Sequence, residues 1–333
     1  MKHYESVGGV SGVLVGEAMM RAKDPGRLVA SLLGHEDVGK SNHDVVNDKQ
    51  STCVKICGIQ NVEDALVAAR AGADMIGLIF VKKSKRCVSL ENAEKIVRAI
   101  RGFRESGDRE ILKRSTSEKD SEEWYESRRQ EIVSVCNKHR PLIVGVFQNH
   151  DHKVLCDVVK RVGLDVVQLH GKETPDYADT CPVPTISVLH VDVAGSNDPI
   201  DSLVRRCQDL RGKTDAILLD SRVPGQTGGT GKVFDWTLPR RFPVNIPVIL
   251  AGGLNPSNVS KAIVQARPWC VDVAGGVAME DGVTKDHDRI VSFVQRAKSV
   301  RVSRSSDDDR RTRIVIVTSV MIGLAFMLFR GKK

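Results

Sequence analysis

Eight short apolar runs, each followed by a stretch with helical spacing, recur from residue 53 to residue 298. That alternation constrains the fold more than any other feature of the chain. The strand candidates are 53–57, 74–80, 141–147, 165–169, 183–189, 215–220, 247–251 and 270–274. The helical stretches lie near 61–71, 89–101, 151–162, 174–180, 199–210, 235–240, 256–266 and 285–298. Strands rich in Val, Ile and Leu that alternate with helices pair in parallel, with both faces covered. Eight such units predict an α/β chain folded as a closed (β/α)8 barrel of roughly 250 residues. The competing arrangement is a doubly wound open sheet. It lacks its glycine-rich dinucleotide turn here, because Cys57-Gly58-Ile59-Gln60 does not fit GxGxxG.

The 333-residue chain is longer than such a barrel, so it carries extensions. Its apolar share of 41% supports a large core, and 4% aromatics make that core aliphatic. The net charge of +8 gathers in part near the C-terminus, at Arg296 to Arg313 and Arg330 to Lys333, with no interleaved aromatics of the kind a single-strand platform needs. A nucleic-acid partner is therefore not expected. The eight cysteines are scattered without a CxxC pair, which predicts free thiols in a reducing compartment and no zinc knuckle. No charged leader followed by an apolar run opens the chain, so no signal peptide is expected.

Outside the barrel the composition changes. Gly12 to Glu17 reads as a strand with a glycine turn, and Ala18 to Leu33 reads as helical with a break at Asp24-Pro25-Gly26. Residues 35–52 are polar and read as a linker. Residues 102–130 form a charged insertion between a helix and the next strand. Such loops lie on the barrel face away from the catalytic mouth, so no catalytic role is expected for it. Residues 299–313 read as a basic, Ser-rich linker before an uncharged apolar run, 314–329, with basic residues on both sides. A spanning helix needs about 20 apolar residues, with a lower limit near 17. The run is slightly short, yet flanking Arg and Lys can snorkel, so a C-terminal membrane helix is one reading and a docked terminal helix is the other.

Barrel enzymes carry their reacting groups at the C-terminal ends of strands. Read in order, those ends supply Cys57, Phe80 with the loop to Arg86, Gln148, His170, Asp220 and two glycine pairs, Gly252-Gly253 and Gly275-Gly276. A third glycine cluster, Gly228-Gly229-Thr230-Gly231, lies in the preceding loop. A lone cysteine at a strand end is ordinarily core packing. Here a thiol and a carboxylate on different strands can face one cavity. Glycine lets backbone N–H groups approach an anion, and the loops after the seventh and eighth strands are the usual phosphate site of this fold.

Several segments resemble a known family. They are Lys55-Ile56-Cys57-Gly58, Gly72-Ala73-Asp74, Ser84-Lys85-Arg86-Cys87, Gln168-Leu169-His170-Gly171, Leu219-Asp220-Ser221, Gly228-Gly229-Thr230-Gly231, Ala251-Gly252-Gly253-Leu254 and Val271-Asp272-Val273 with Gly275-Gly276-Val277. In this order, across roughly 53–298, they are similar to phosphoribosylanthranilate isomerase. The resemblance implies a barrel of tryptophan biosynthesis that works without a cofactor. It would convert N-(5-phosphoribosyl)anthranilate to 1-(2-carboxyphenylamino)-1-deoxyribulose 5-phosphate by an Amadori rearrangement. It implies Asp220 as the acid, Cys57 as the base and Arg86 as the grip on the anthranilate carboxylate. Gly228, Gly229, Gly231, Gly252, Gly253, Gly275 and Gly276 would cradle the phosphate. That chemistry asks for a partly ionised thiol, hence a lowered pKa or help from nearby donors, and for a carboxyl with a raised pKa. His170 receives no catalytic role. The eighth loop departs from the family pattern, with Ala274 where serine is common.

Val13 to Pro25 similarly resembles the last βα unit of indole-3-glycerol-phosphate synthase. It implies a catalytically dead remnant of a two-enzyme fusion over residues 1–34, or a chain that begins late in one. One βα unit cannot close a barrel, so residual synthase activity is not expected. The reading from another class is a membrane-tethered scaffold for other tryptophan-pathway enzymes. A scaffold has no need of Cys57, Asp220 and Arg86 together. The barrel is expected in cytosol or plastid stroma, with or without a tail anchored to an organelle membrane.

Overall fold

The computed structural model describes residues 52–103, 130–132, 140–192, 200–222, 234–241 and 246–301. The segments expected as a remnant (1–34), most of the linker (35–52), most of the insertion (102–130) and the apolar run (314–329) lie outside the described residues. So do Gly228, Gly229 and Gly231. Among the described residues no helix is long and apolar enough to cross a membrane.

Eight parallel strands close into a barrel in chain order, β1 (Cys53–Cys57), β2 (Met75–Ile79), β3 (Leu142–Phe147), β4 (Val166–Leu169), β5 (Thr185–Asp192), β6 (Ala216–Arg222), β7 (Val248–Leu250) and β8 (Cys270–Val273). The ring closes where Cys53 pairs with Cys270 and Lys55 with Asp272. The connecting helices are α1 (Val62–Ala71), α2 (Leu90–Phe103), α3 (His152–Val158), α4 (Pro175–Asp179), α5 (Ile200–Asp209), α6 (Val259–Ala266) and α7 (His287–Ser299).

The helices begin and end where local chemistry dictates. Asn61 caps α1 by accepting the Asp64 N–H, and Gly72 ends it in the left-handed region at φ 93°. Asp151, Thr174 and Asp286 cap α3, α4 and α7 in the same way. Three connections then repeat one device. Asp74, Asp165 and Asp215 each precede a strand, and each accepts the first free N–H of the strand before it, from Val54, Ile143 and Thr185, at 2.7–2.8 Å. Those N–H groups lie at the bottom rim, where the ladder offers no partner, and a carboxylate satisfies them. Asp74 also pairs with Lys298 and Arg140, which ties α7 to the rim.

Two expectations are corrected. The helix expected at 235–240 is a single 3₁₀ turn, Leu238–Arg241. Pro239 and the Asp235 side chain, which takes the Thr237 N–H and hydroxyl, hold this stretch as turns rather than a helix. The fifth strand does not stop at 189. It runs to Asp192, paired with β6 throughout, and so brings His190 to the rim.

Strand residues alternate in and out, so every second residue belongs to one side. One apolar cluster contains Cys53, Met75, Leu142, Val144, Val166, Ile186, Val188, Ala216, Leu218, Ile249 and Cys270. These all have the same parity and fill the inside of the ring. The alternate residues, among them Val54, Ile56, Ile143, Val167, Leu219 and Val271, pack against the helices. Carried two residues further up each strand, the inward set becomes polar: Lys55 and Cys57, Gln168, His190, Asp220 and Asp272. The floor of the barrel is thus aliphatic and its upper layer is ionisable.

Candidate active site

Cys57 ends β1 and points inward in register with Gly77 of β2. A Cβ built on Gly77 would lie 2.6 Å from the Cys57 sulfur, so the glycine makes the space the thiol occupies. Two residues below, Lys55 is wholly buried, and its ammonium donates to Asp272 Oδ1 at 2.9 Å. The same ammonium acts electrostatically on the Cys57 side chain beside it. Burial works against the charge on Lys55, but Asp272 and Cys57 beside it hold its pKa above the usual lysine range.

The expectation of a lowered thiol pKa is not met in the free protein. Burial, the largest influence, pushes Cys57 up, and Asp272 adds to it, while Lys55 and Lys285 pull it down without prevailing. The other route expected for the thiol is help from nearby donors, and two cations act on it, Lys55 first. Lys285 is the second of these. It is buried, and its ammonium donates to the Cys57 carbonyl at 2.7 Å and the Ala274 carbonyl at 2.8 Å. It thereby locks the end of β1 to the loop after β8. Burial, aided by Arg86, lowers Lys285 to about 8, although Cys57, Asp272 and Asp64 pull the other way.

Asp220 stands near the top of β6, three strands round the ring from Cys57. Burial and the negative charge of Asp272 raise its pKa to about 7, as the expected acid requires. His170, at the end of β4, places Nε2 3.7 Å from Asp220 Oδ2. Burial first, then His190 and Lys55, hold His170 neutral, with its pKa down at about 3.

Arg86 lies in the loop after β2. Its Nε donates to the Gly282 carbonyl at 2.8 Å, and Gly58 gives its stem room, since a Cβ there would lie 2.7 Å from Arg86 Cδ. Its guanidinium reaches the loop after β8, with Nη2 3.2 Å from a Cβ built on Gly275. The loops after β7 and β8 touch through their glycines. A Cβ on Gly276 would lie 1.9 Å from the Leu254 carbonyl oxygen, and one on Gly252, at φ 81°, would lie 2.3 Å from Ser221 Oγ. Main chain meets main chain there, which no larger residue permits. The structure thus gathers Cys57, Asp220, Arg86, Gly252, Gly253, Gly275 and Gly276 at one end of the barrel.

A model of the family described as N-(5'phosphoribosyl)anthranilate (PRA) isomerase matches residues 104–296. A Pseudomonas savastanoi protein named N-(5'-phosphoribosyl)anthranilate isomerase is 38% identical over 242 residues, 72% of this chain and 94% of that protein. This chain belongs to the phosphoribosylanthranilate isomerase family. The crystal structure of the Thermotoga maritima phosphoribosyl anthranilate isomerase aligns with TM-score 0.56 and 32% identity, covering 75% of this chain and all of that one. Another structure of an isomerase of this kind, in complex with reduced 1-(o-carboxyphenylamino)-1-deoxyribulose 5-phosphate, aligns with TM-score 0.53 and 30% identity, over 75% of this chain and all of that one. A multifunctional tryptophan biosynthesis protein of Phycomyces blakesleeanus is 40% identical over 309 residues, 88% of this chain. The chain spans 39% of that relative's length and 55% of the length of a related Phytophthora nicotianae protein.

Beside the family's expected residues stand four that sequence reasoning gave no role: Lys55, Asp272, His190 and Lys285. Lys55 and Asp272 lie inside segments that carried the resemblance, and strand parity alone turns them inward with Cys57. His190 shares the parity of Ile186 and Val188. Lys285 follows a loop and carries no comparable signal.

Proposed function

We propose that this chain isomerises N-(5'-phosphoribosyl)anthranilate to 1-(2-carboxyphenylamino)-1-deoxyribulose 5-phosphate. The observation that carries the reading is the presence of an inward thiol, Cys57, and an inward carboxyl, Asp220, on separate walls of one barrel mouth. Opening the ribose ring requires a proton at the ring oxygen, which Asp220 delivers. The resulting iminium loses its C2′ proton to Cys57 and becomes an enolamine, which tautomerises to the ketose. Lys55 steadies the negative charge that the sulfur carries as a base. Arg86 grips the anthranilate carboxylate, a planar anion suited to a guanidinium. The glycine loops after β7 and β8, with Gly228, Gly229 and Gly231, hold the phosphate through backbone N–H groups.

The fusion-like relatives support a setting beside other tryptophan-pathway activities. Residues 1–34 fit a remnant of such a fusion, and 314–329 fit a membrane helix that would anchor the barrel. The test of the reading is complementation of a tryptophan-requiring strain that lacks this one isomerase step. Growth without tryptophan is expected. No growth despite folded, expressed protein would end the reading.

A further inference from the structure

The upper layer of the barrel holds two histidines beside Asp220 that the isomerisation does not explain. His170, His190 and Asp220 stand at the ends of three successive strands, β4, β5 and β6. His190 and Asp220 are register partners across β5 and β6. The two imidazole rings meet edge to face with centroids 5.1 Å apart. One potential ligand atom from each of the three residues lies within 4.8 Å of the others. All three residues are half-buried, so the cluster is open to a solute entering the mouth. Two imidazole nitrogens and one carboxylate oxygen form the donor set that divalent zinc, cobalt and iron favour.

A second observation points the same way. Gln168 lies beneath the cluster and is 2% exposed. Its Nε2 faces His170 Nδ1 at 3.3 Å, while its Oε1 is buried with no partner. Turning the amide over exchanges the two atoms, a choice that hydrogen-bonding alone decides. Oε1 would then accept a proton carried on Nδ1, and His170 Nε2, the nitrogen that faces Asp220, would present its lone pair. A histidine that binds a metal ordinarily donates its other N–H to such an oxygen. The metal-binding tautomer therefore keeps the Gln168–His170 hydrogen bond, with the amide turned over.

We propose that His170, His190 and Asp220 form a binding site for a divalent transition-metal ion of the zinc type, and that occupancy switches the isomerase off. Ligand atoms around zinc sit roughly 3.4 Å from one another, so the three side chains close in by small rotations from their present spread. A water molecule, or an oxygen of a bound anion, completes the coordination. The metal takes the carboxylate of Asp220, which then has no proton to deliver, and it fills space the sugar would enter. The switching half of the inference rests on the function proposed above; the binding half does not. In the sequence the three residues are 20 and 30 positions apart and form no metal motif; strand register alone assembles them.

Cobalt(II) titrated into the metal-free full chain separates the two halves. The expected result is one bound ion with weak visible d–d bands, no sulfur-to-cobalt charge-transfer band, and displacement by zinc. His190→Ala should weaken binding at least tenfold, and Gln168→Leu, which removes only the outer hydrogen bond, by about 10–100-fold. In the turnover assay, zinc should inhibit in competition with substrate. In His190→Ala, zinc at concentrations that inhibit the parent should no longer lower turnover relative to the variant's own metal-free rate. Unchanged cobalt affinity in His190→Ala, or a spectrum dominated by thiolate charge transfer, would overturn the site. Cobalt bound as expected without inhibition of an active enzyme would overturn the switch. A chain that binds cobalt as expected but never turns over would count against the isomerase reading instead.

Discussion

Asp220→Asn should reduce kcat/KM for phosphoribosylanthranilate by about 10²–10⁴-fold, the range that one general acid supplies. The amide matches the carboxyl in size and keeps an N–H near the ring oxygen, but that N–H is far too weak an acid to release its proton. The loss should fall mainly on kcat, since ring opening is the step that consumes the proton. Stability should not fall with it. In the parent protein, burial and the nearby charge of Asp272 work against the Asp220 carboxylate, and a neutral amide removes that conflict. A thermal melt and steady-state kinetics on the same preparation check both statements. A variant that turned over normally would remove Asp220 from the acid's role.

The second large effect is on the buried pair beneath the thiol. Lys55→Met should destabilise the protein by about 3–5 kcal/mol, because it strands the buried Asp272 carboxylate without its cation. The double variant Lys55→Met with Asp272→Asn should recover most of that loss, since no unpaired charge remains. Activity should not recover in parallel. Lys55 is the strongest influence holding the Cys57 pKa down. Without it the thiol titrates higher, and the rising limb of kcat/KM against pH should move to higher pH. Denaturant titration of the single and double variants, with a pH profile of the double, separates the structural from the catalytic part. A double variant as unstable as the single one would show that the pair is not the source of the cost.

Much of this site was legible from strand ends. Cys57 and Asp220 stand where an eight-unit alternation puts them, and Gly252, Gly253, Gly275 and Gly276 lie in the loops where the fold binds anions. Lys55 and Asp272 were legible as types but not as partners. They are 217 residues apart, and only the closing of β1 on β8 makes them neighbours. His190 was lost to a boundary. The strand expected over 183–189 stops one residue short of it, whereas pairing with β6 carries β5 on to Asp192. That the thiol's pKa is raised was not legible, for a related reason. A sequence shows the cations near a cysteine, but not the packing of Gly77 and its neighbours that buries the sulfur. The helix expected at 235–240 failed because Asp235 and Pro239 favour turns over a continuing helix.

The central claim is that the Cys57 sulfur removes the C2′ proton of the substrate. The most direct measurement is turnover of phosphoribosylanthranilate, followed by its fluorescence, in purified parent and Cys57→Ala proteins shown by circular dichroism to be equally folded. The account predicts a loss of at least about 10²-fold in kcat for Cys57→Ala. Near-parent turnover by the variant would contradict it.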